Sequence, residues 1–176
     1  MTIPSESSSY IGHIKNTPLG NLWVAISDLG LTAVAWGDNQ HEFEERLNKR
    51  LKRSIQLNEV KIAPFANQIK EYLNRSLRQF TIPIDWSVLS SFQQIVLKTT
   101  FEIPYGQTRT YSELAGQIGR PNAARAVGRA QATNPIPLVI PCHRVIGVNG
   151  KLTGYGGGEG LPTKEWLLKM EGAVIA

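Results

Sequence analysis

Apolar positions recur along this chain with two different periods, and the change of period divides it. Near the start, residues 10–14, 22–26 and 31–36 are short runs rich in Ile, Val, Trp and Tyr. Turn residues separate them: Asn16-Thr17-Pro18-Leu19-Gly20, Ser27-Asp28-Leu29-Gly30 and Gly37-Asp38-Asn39. Short loops between such runs predict an antiparallel meander. Between residues 41 and 53, Phe43, Leu47 and Leu51 recur every fourth position amid charge, as a surface helix requires. A second helix is predicted to begin at Pro64, a residue suited to a first helical position, with Phe65, Ile69, Tyr72 and Leu73 as its stripe. Prolines then oppose helix in Thr81-Ile82-Pro83-Ile84-Asp85-Trp86, which reads as an extended linker. The domain boundary is placed there, giving residues 1–86 and 87–176. Residues 1–8 read as a frayed polar lead-in.

The second half is helical in period and well capped. Ser90 and Gln93 form one capping-box pattern and Thr110 and Glu113 another. The first opens a helix with Phe92, Ile95, Val96 and Thr99 aligned. The second opens one with Tyr111, Leu114, Ala115 and Ile118 aligned. Gly119 and Arg120-Pro121 turn the chain into a further helix over 122–132. Ala123, Ala126, Val127 and Ala130 are expected on its inner face, Arg125 and Arg129 on its outer face. Two short helices across a tight turn describe a helix-turn-helix. Gly128 and Ala132 beside the arginines would let that backbone approach another surface, which suits DNA. A solvated helix is the equal alternative. Asn149-Gly150 signals a two-residue hairpin, hence a wing. A last helix starts at Pro162, with Trp166, Leu167 and Met170 as core. Glu171 in its final turn opposes the helix dipole, which hints at another duty.

Composition narrows the classes. The chain has 176 residues, 41% hydrophobic and 19% charged, as in a soluble globular protein of one core or two small domains. No apolar run approaches the ~20 residues of a membrane span, and the start shows no leader pattern. A single cysteine allows no internal disulfide and no multi-cysteine zinc site, and the histidines at 13, 41 and 143 are scattered. The expectation is a reduced thiol in a cytoplasmic monomer, with no membrane partner, no cofactor and no metal. His13 reads as structural. A net charge of +5 favours a polyanionic partner, although the Lys49-Arg50-Lys52-Arg53 cluster is more simply a solvated face.

That one cysteine is Cys142, at the end of the apolar run Ile136-Pro137-Leu138-Val139-Ile140-Pro141, with His143 and Arg144 next to it. Thiolate, not thiol, is the nucleophile, and cationic neighbours favour it. A buried core cysteine is the bland alternative. Asn134, between a helix end and Pro135, suits bonding to local backbone. Gly154-Tyr155-Gly156-Gly157-Gly158 permits close approach of a flat ligand to the main chain. It lacks the context of a phosphate loop.

Pro141-Cys142-His143-Arg144-Val145, preceded by Asn134-Pro-Ile-Pro and by Arg125 within Ala-Ala-Arg-Ala-Val-Gly, resembles the O6-alkylguanine-DNA alkyltransferases. The likeness runs from about Phe92 to Gly172. It implies an α+β fold: an N-terminal ribonuclease-H-like antiparallel sheet with helices, then a C-terminal winged-helix-like helix-turn-helix domain. It implies repair of alkylated double-stranded DNA by one irreversible transfer, from O6-alkylguanine and also O4-alkylthymine, to Cys142. By the same resemblance His143 reaches Cys142 through a water, Glu171 orients the imidazole and Tyr111 donates to the leaving base. Arg125 fills the gap left by the flipped nucleotide and Asn134 is a hinge. Val145, Tyr155, Gly156, Pro137 and Lys164 belong to the base pocket, while Ser112, Arg120 and Arg129 contact DNA. Gly156 stands where many members have serine. Three competing readings are a lesion binder of the same fold, a winged-helix regulator and a thiol hydrolase. Respectively they lack the cysteine, leave Pro-Cys-His-Arg unexplained, and suffer from strand neighbours that point to opposite faces.

Overall fold

The computed structural model describes residues 8–175, so the expected lead-in lies, apart from Ser8, outside the described residues. The chain forms two compact units that meet between Val88 and Leu89.

In the first unit β1 (Ser9–Thr17), β2 (Gly20–Ser27) and β3 (Gly30–Trp36) make the antiparallel meander. One strand was not anticipated: β4 (Ile55–Leu57) adds in parallel beside β1, giving the order β3-β2-β1-β4. Alternation along β1 decides which helix each face receives. Ile11, Trp23, Ala25 and Ala33 face α1 (Gln40–Leu51) through Phe43 and Leu47. Gly12, on the opposite face, admits α2 (Glu59–Leu73). A Cβ on Gly12 would stand 2.8 Å from Ile62 Cγ2, so only glycine lets that helix lie so close.

Helix α2 corrects the expected start at Pro64. It starts at Glu59, five residues earlier, where Asn58 caps it by accepting from the Lys61 amide, and Ile62, Ala66, Ile69, Tyr72 and Leu73 are buried. The bond Pro64 cannot make is the one to the carbonyl of Val60, whose residue is 84% exposed and open to water. The expected linker is extended but pinned. The Leu31 amide donates to the Pro83 carbonyl at 2.9 Å and the Asp85 amide to the Leu31 carbonyl at 3.0 Å, so the segment straps the edge of β3. Asp85 is buried there, accepting from Ser27 Oγ at 2.6 Å and from Ser87, with Arg53 Nη1 at 3.4 Å. Arg50 is bound to the Thr32 carbonyl. Two of the four cluster cations thus serve this unit rather than a partner.

In the second unit α3 (Ser91–Phe101) and α4 (Tyr111–Gln117) carry complete capping boxes at Ser90 and Thr110, each worth about 1 kcal/mol. The buried face of α3 is Val96, Leu97 and Thr100; Ile95 is exposed, a rotation of the expected stripe. The turn into α5 (Ala124–Ala132) uses Gly119 at φ 71°, with the Arg120 amide returning to the Ala115 carbonyl. Val127, Ala130 and Gln131 are the buried residues of α5; Ala126, expected inside, is exposed. Val96, Ile103, Leu114, Ala115, Val127, Ala130 and Val145 form the core. The expected wing is reduced to its turn. Asn149 and Gly150 take the positive φ values of a type I′ turn, closed by the Lys151 amide on the Val148 carbonyl and flanked by the Gly147 amide on the Lys151 carbonyl. No ladder follows, because β6 (Val145–Ile146) pairs in parallel with β5 (Arg109–Thr110) instead. Last comes α6 (Leu161–Met170), with Pro162 in its first turn. Among the described residues no helix is long and apolar enough to cross a membrane.

Candidate functional site

The segment before Cys142 is not the expected strand. Residues 133–141 form a wound loop, with Leu138 at φ 73° and the Ile140 amide on the Ile136 carbonyl. Asn134 holds it from inside: Nδ2 donates to the Ile140 carbonyl at 3.0 Å, and Oδ1 accepts from the Ile136 amide at 2.9 Å. Cys142–Arg144 then make one turn of 3-10 helix, anchored by the Cys142 amide on the Ile140 carbonyl. A 3-10 turn, not strand alternation, therefore sets the directions of the thiol and the imidazole.

That turn delivers His143 and Arg144 to the end of α6. His143 is fully buried, and its Nε2 lies 2.9 Å from Glu171 Oε1. Arg144 grips the same carboxylate with two bonds, Nε to Oε2 at 2.9 Å and Nη2 to Oε1 at 2.8 Å. Its Nη1 donates to the Ile103 carbonyl at 2.5 Å. The Gly106 amide adds a bond to Oε2 at 3.1 Å. Gly106 needs its positive φ, and a Cβ there would meet the Glu171 carbonyl oxygen at 2.9 Å. The conflict of Glu171 with its helix dipole is thereby resolved by the buried Arg144 guanidinium.

Charge follows burial. Burial opposes ionisation of Glu171, but His143 and Arg144 outweigh it and hold the carboxyl well below the usual range. Burial lowers the His143 pKa, Glu171 acts in the opposite sense, and Arg144 and Lys164 lower it further, so the imidazole is neutral near pH 7. Burial likewise raises the pKa of the Cys142 thiol, while a side-chain hydrogen bond from Asn134 and the charge of Lys164 favour the thiolate. Lys164 is itself 1% exposed and lowered to about 8 by burial. Its Nζ donates to the carbonyls of Val145, Thr153 and Gly154 at 2.6, 3.1 and 3.3 Å. The Tyr111 hydroxyl donates to the Thr153 carbonyl at 3.1 Å. Burial and the nearby Cys142 charge raise the hydroxyl pKa of both Tyr111 and Tyr155.

Cys142, His143, Glu171, Asn134, Tyr111, Tyr155 and Lys164 are thus brought together. Tyr111 also walls a cleft of about 420 Å³ with Ser112, Arg125, Gly128, Val148 and Thr153. Cys142 does not line that cleft and is 6% exposed; Tyr111 links the two. Arg129 projects from α5 along a second cleft. The other expectations are placed differently. The Val145 side chain packs in the core, so its contribution to the site is its carbonyl. Pro137 is buried within the 133–141 loop. Gly156 is exposed, where a Cβ would lie 3.1 Å from the Ala132 carbonyl oxygen. Arg120 is exposed, its guanidinium 5.4 Å from the centre of the Phe92 ring.

Sequence reasoning missed Arg144 as the partner of Glu171. The signal was available: an acid at a helix C-terminus needs a cation, and Arg144 adjoins the one cysteine. Thr153 and Val148 carried no comparable signal.

Two family models match this chain: the 6-O-methylguanine DNA methyltransferase ribonuclease-like domain over residues 9–86, and the DNA binding domain of the same family over residues 91–173. The chain belongs to the 6-O-methylguanine DNA methyltransferase family. It is 40% identical to the methylated-DNA–protein-cysteine methyltransferase of Shigella flexneri over 163 residues, 90% of this chain and 94% of that one. The corresponding protein of Methanosarcina acetivorans is 40% identical over 160 residues, covering 91% and 97%. Among solved structures, Mycobacterium tuberculosis OGT in complex with DNA aligns with a TM-score of 0.74 at 36% identity. That alignment covers 94% of this chain and 92% of the other. Family membership accounts for the α+β division.

Proposed function

We propose that this chain repairs alkylated double-stranded DNA as a cytoplasmic monomer, moving the alkyl group from O6 of guanine to Sγ of Cys142. The observation that carries this is the buried His143–Glu171–Arg144 array beside the only thiol. Because Glu171 accepts at Nε2, the proton of a neutral imidazole sits there, and Nδ1 is left as the base toward the thiol through a water. A lesion in duplex DNA must leave the stack to be reached. Arg125 on the cleft rim fills the gap, Ser112 and Tyr111 flank the entry, and Arg120 and Arg129 meet phosphates.

The step balances simply. The thiol proton passes to His143, the Sγ–carbon bond forms as the carbon–O6 bond breaks, and the guanine takes a proton as charge builds on it. The Tyr111 hydroxyl donates that proton and regains one from the relay. Lys164 supplies positive charge to the thiolate and holds Thr153 and Gly154 beside it. A thioether is a poor leaving group and no second thiol exists in the chain, so each molecule reacts once.

Cys142→Ala tests the assignment. It should bind alkylated duplex with the wild-type salt dependence and accept no alkyl group. Alkyl label on the variant would overturn it. Tight binding to one preferred DNA sequence would favour a transcriptional regulator instead.

A further inference from the structure

We infer that Tyr105 is a positioning residue for alkyl transfer: its ring holds Arg144 in the place from which that guanidinium fixes Glu171 against His143. The inference deepens the reading of the site given above and rests on it. The turn that follows α3 makes three grips on the buried array, each through a different residue. The Ile103 carbonyl accepts from Arg144 Nη1, the Tyr105 ring centre lies 5.8 Å from the Arg144 guanidinium carbon, and the Gly106 amide donates to Glu171 Oε2 at 3.1 Å. A cation within about 6 Å of an aromatic ring centre is attracted to the ring face. The Tyr105 hydroxyl adds a long bond, 3.4 Å, to the carbonyl of Met170, the residue before Glu171. One turn thus holds both the cation and the carboxylate, and Tyr105 is the residue that does so with its side chain.

The turn itself is stiff. Pro104 has a fixed φ, the Gln107 amide donates to the Pro104 carbonyl at 3.1 Å, and Gly106 supplies the φ of 77° that the third position of a type II turn requires. Tyr105 is half-buried and does not line the entry cleft, so it acts through Arg144 rather than on a substrate. What the held carboxylate does is chemical. Glu171 Oε1 lies 2.9 Å from His143 Nε2, and Arg144 Nη2 lies 2.8 Å from the same oxygen. With both carboxylate oxygens aimed, the imidazole proton stays at Nε2 and Nδ1 remains the base. A guanidinium free to drift lets the carboxylate turn, and the proton is no longer confined to Nε2. Burial does most to keep His143 neutral; Glu171 opposes it, and Arg144 and Lys164 add to it. Losing the fixed guanidinium therefore also leaves the imidazole easier to protonate.

The ring and the hydroxyl of Tyr105 are tested separately. Tyr105→Leu and Tyr105→Phe are compared with wild type in methyl transfer from free O6-methylguanine across a pH series, and in binding to alkylated duplex. Tyr105→Leu should slow transfer roughly tenfold, a fraction of the ~10²–10⁴-fold that general-base catalysis supplies, and bind duplex as wild type does. The acid limb of its rate profile should move to higher pH. Tyr105→Phe keeps the ring and should restore both rate and profile. Nitrogen NMR of His143 reads the same effect without activity: one tautomer, protonated at Nε2, in wild type and Tyr105→Phe, and a mixture in Tyr105→Leu. Should Tyr105→Leu not fold, Arg144→Lys, which keeps the charge and loses the two-point grip, should show that mixture. A folded Tyr105→Leu that transfers at the wild-type rate would overturn the inference. So would a slower rate with an unmoved acid limb, equal losses in the Leu and Phe variants, or a single Nε2 tautomer in Tyr105→Leu or Arg144→Lys. A wild-type chain that takes up no methyl group would overturn the reading of the site and this inference with it, whereas a wild-type-like Tyr105→Leu overturns this inference alone.

Discussion

Among the described residues each unit of this protein buries one carboxylate, and the two are solvated by different chemistry. Asp85 in the first unit accepts chiefly from hydroxyl and amide groups of Ser27 and Ser87, with Arg53 as a longer ion pair. Glu171 in the second accepts from an imidazole, a bidentate guanidinium and a glycine amide. Both are held below the ordinary carboxylate range. A carboxylate satisfied by serine hydroxyls has no proton to relay, and it pins a strap to a sheet edge. One that ends on an imidazole beside a thiol orients a base. Burial and ionisation are shared; the partners decide which of the two is a staple and which is chemistry.

Removing the charges separates them most sharply. Glu171→Gln leaves Arg144 buried without its counter-charge and should cost about 3–5 kcal/mol in denaturation experiments. Where it remains folded, alkyl transfer should fall at least about 10²-fold with the loss of oriented base catalysis. Asp85→Asn should cost about 1–3 kcal/mol and leave transfer to a free alkylated base unchanged. If both variants lost transfer equally in the folded state, the staple would be chemistry after all.

Acid sharpens the same contrast. The folded-state pKa of His143 is depressed, so the unfolded chain binds a proton first as pH falls below ~6.5. Stability should therefore begin to drop there. His143→Gln should abolish that slope only. Asp85, also depressed, contributes stability that is present above ~3.9 and lost as pH falls through its folded value. Asp85→Asn should remove only that lower slope. Denaturation at a series of pH values reads both.

Much of the second unit was legible because its signals are local. Two capping boxes, a Gly119 turn and a type I′ dipeptide each specify a few residues of backbone, and all are found. What failed depended on neighbours distant in sequence. A three-residue strand such as β4 has no period to detect, and β6 found β5 rather than the residues after Asn149-Gly150. Pro64 fits a first turn, yet Asn58 offered an earlier cap. Ala126 and Ile95 were assigned to inner faces because alanine and isoleucine do not report a helix rotation of one position. At the site, residue type singled out the thiol and the dipole conflict pointed to Glu171, while the role of His143 came from the family resemblance. Arg144 was misread as a neighbour of the thiol, since a 3-10 turn rather than a strand decides where adjacent side chains go.

Smaller effects refine the second unit. Lys164→Met removes a positive charge that favours the thiolate, and it should raise the pH at which Cys142 reacts with a small electrophile. Gly156→Ser brings a Cβ to 3.1 Å from the Ala132 carbonyl oxygen at an exposed site, and its stability change should stay within about 0.5 kcal/mol.

The most direct measurement is intact mass after excess duplex DNA containing O6-methylguanine is mixed with the protein. One added methyl group per chain, mapped to the peptide of Cys142 and unchanged on longer incubation, is the predicted result. An unmodified chain, a methyl on any other residue, or release of the methyl with recovery of the free thiol would contradict it.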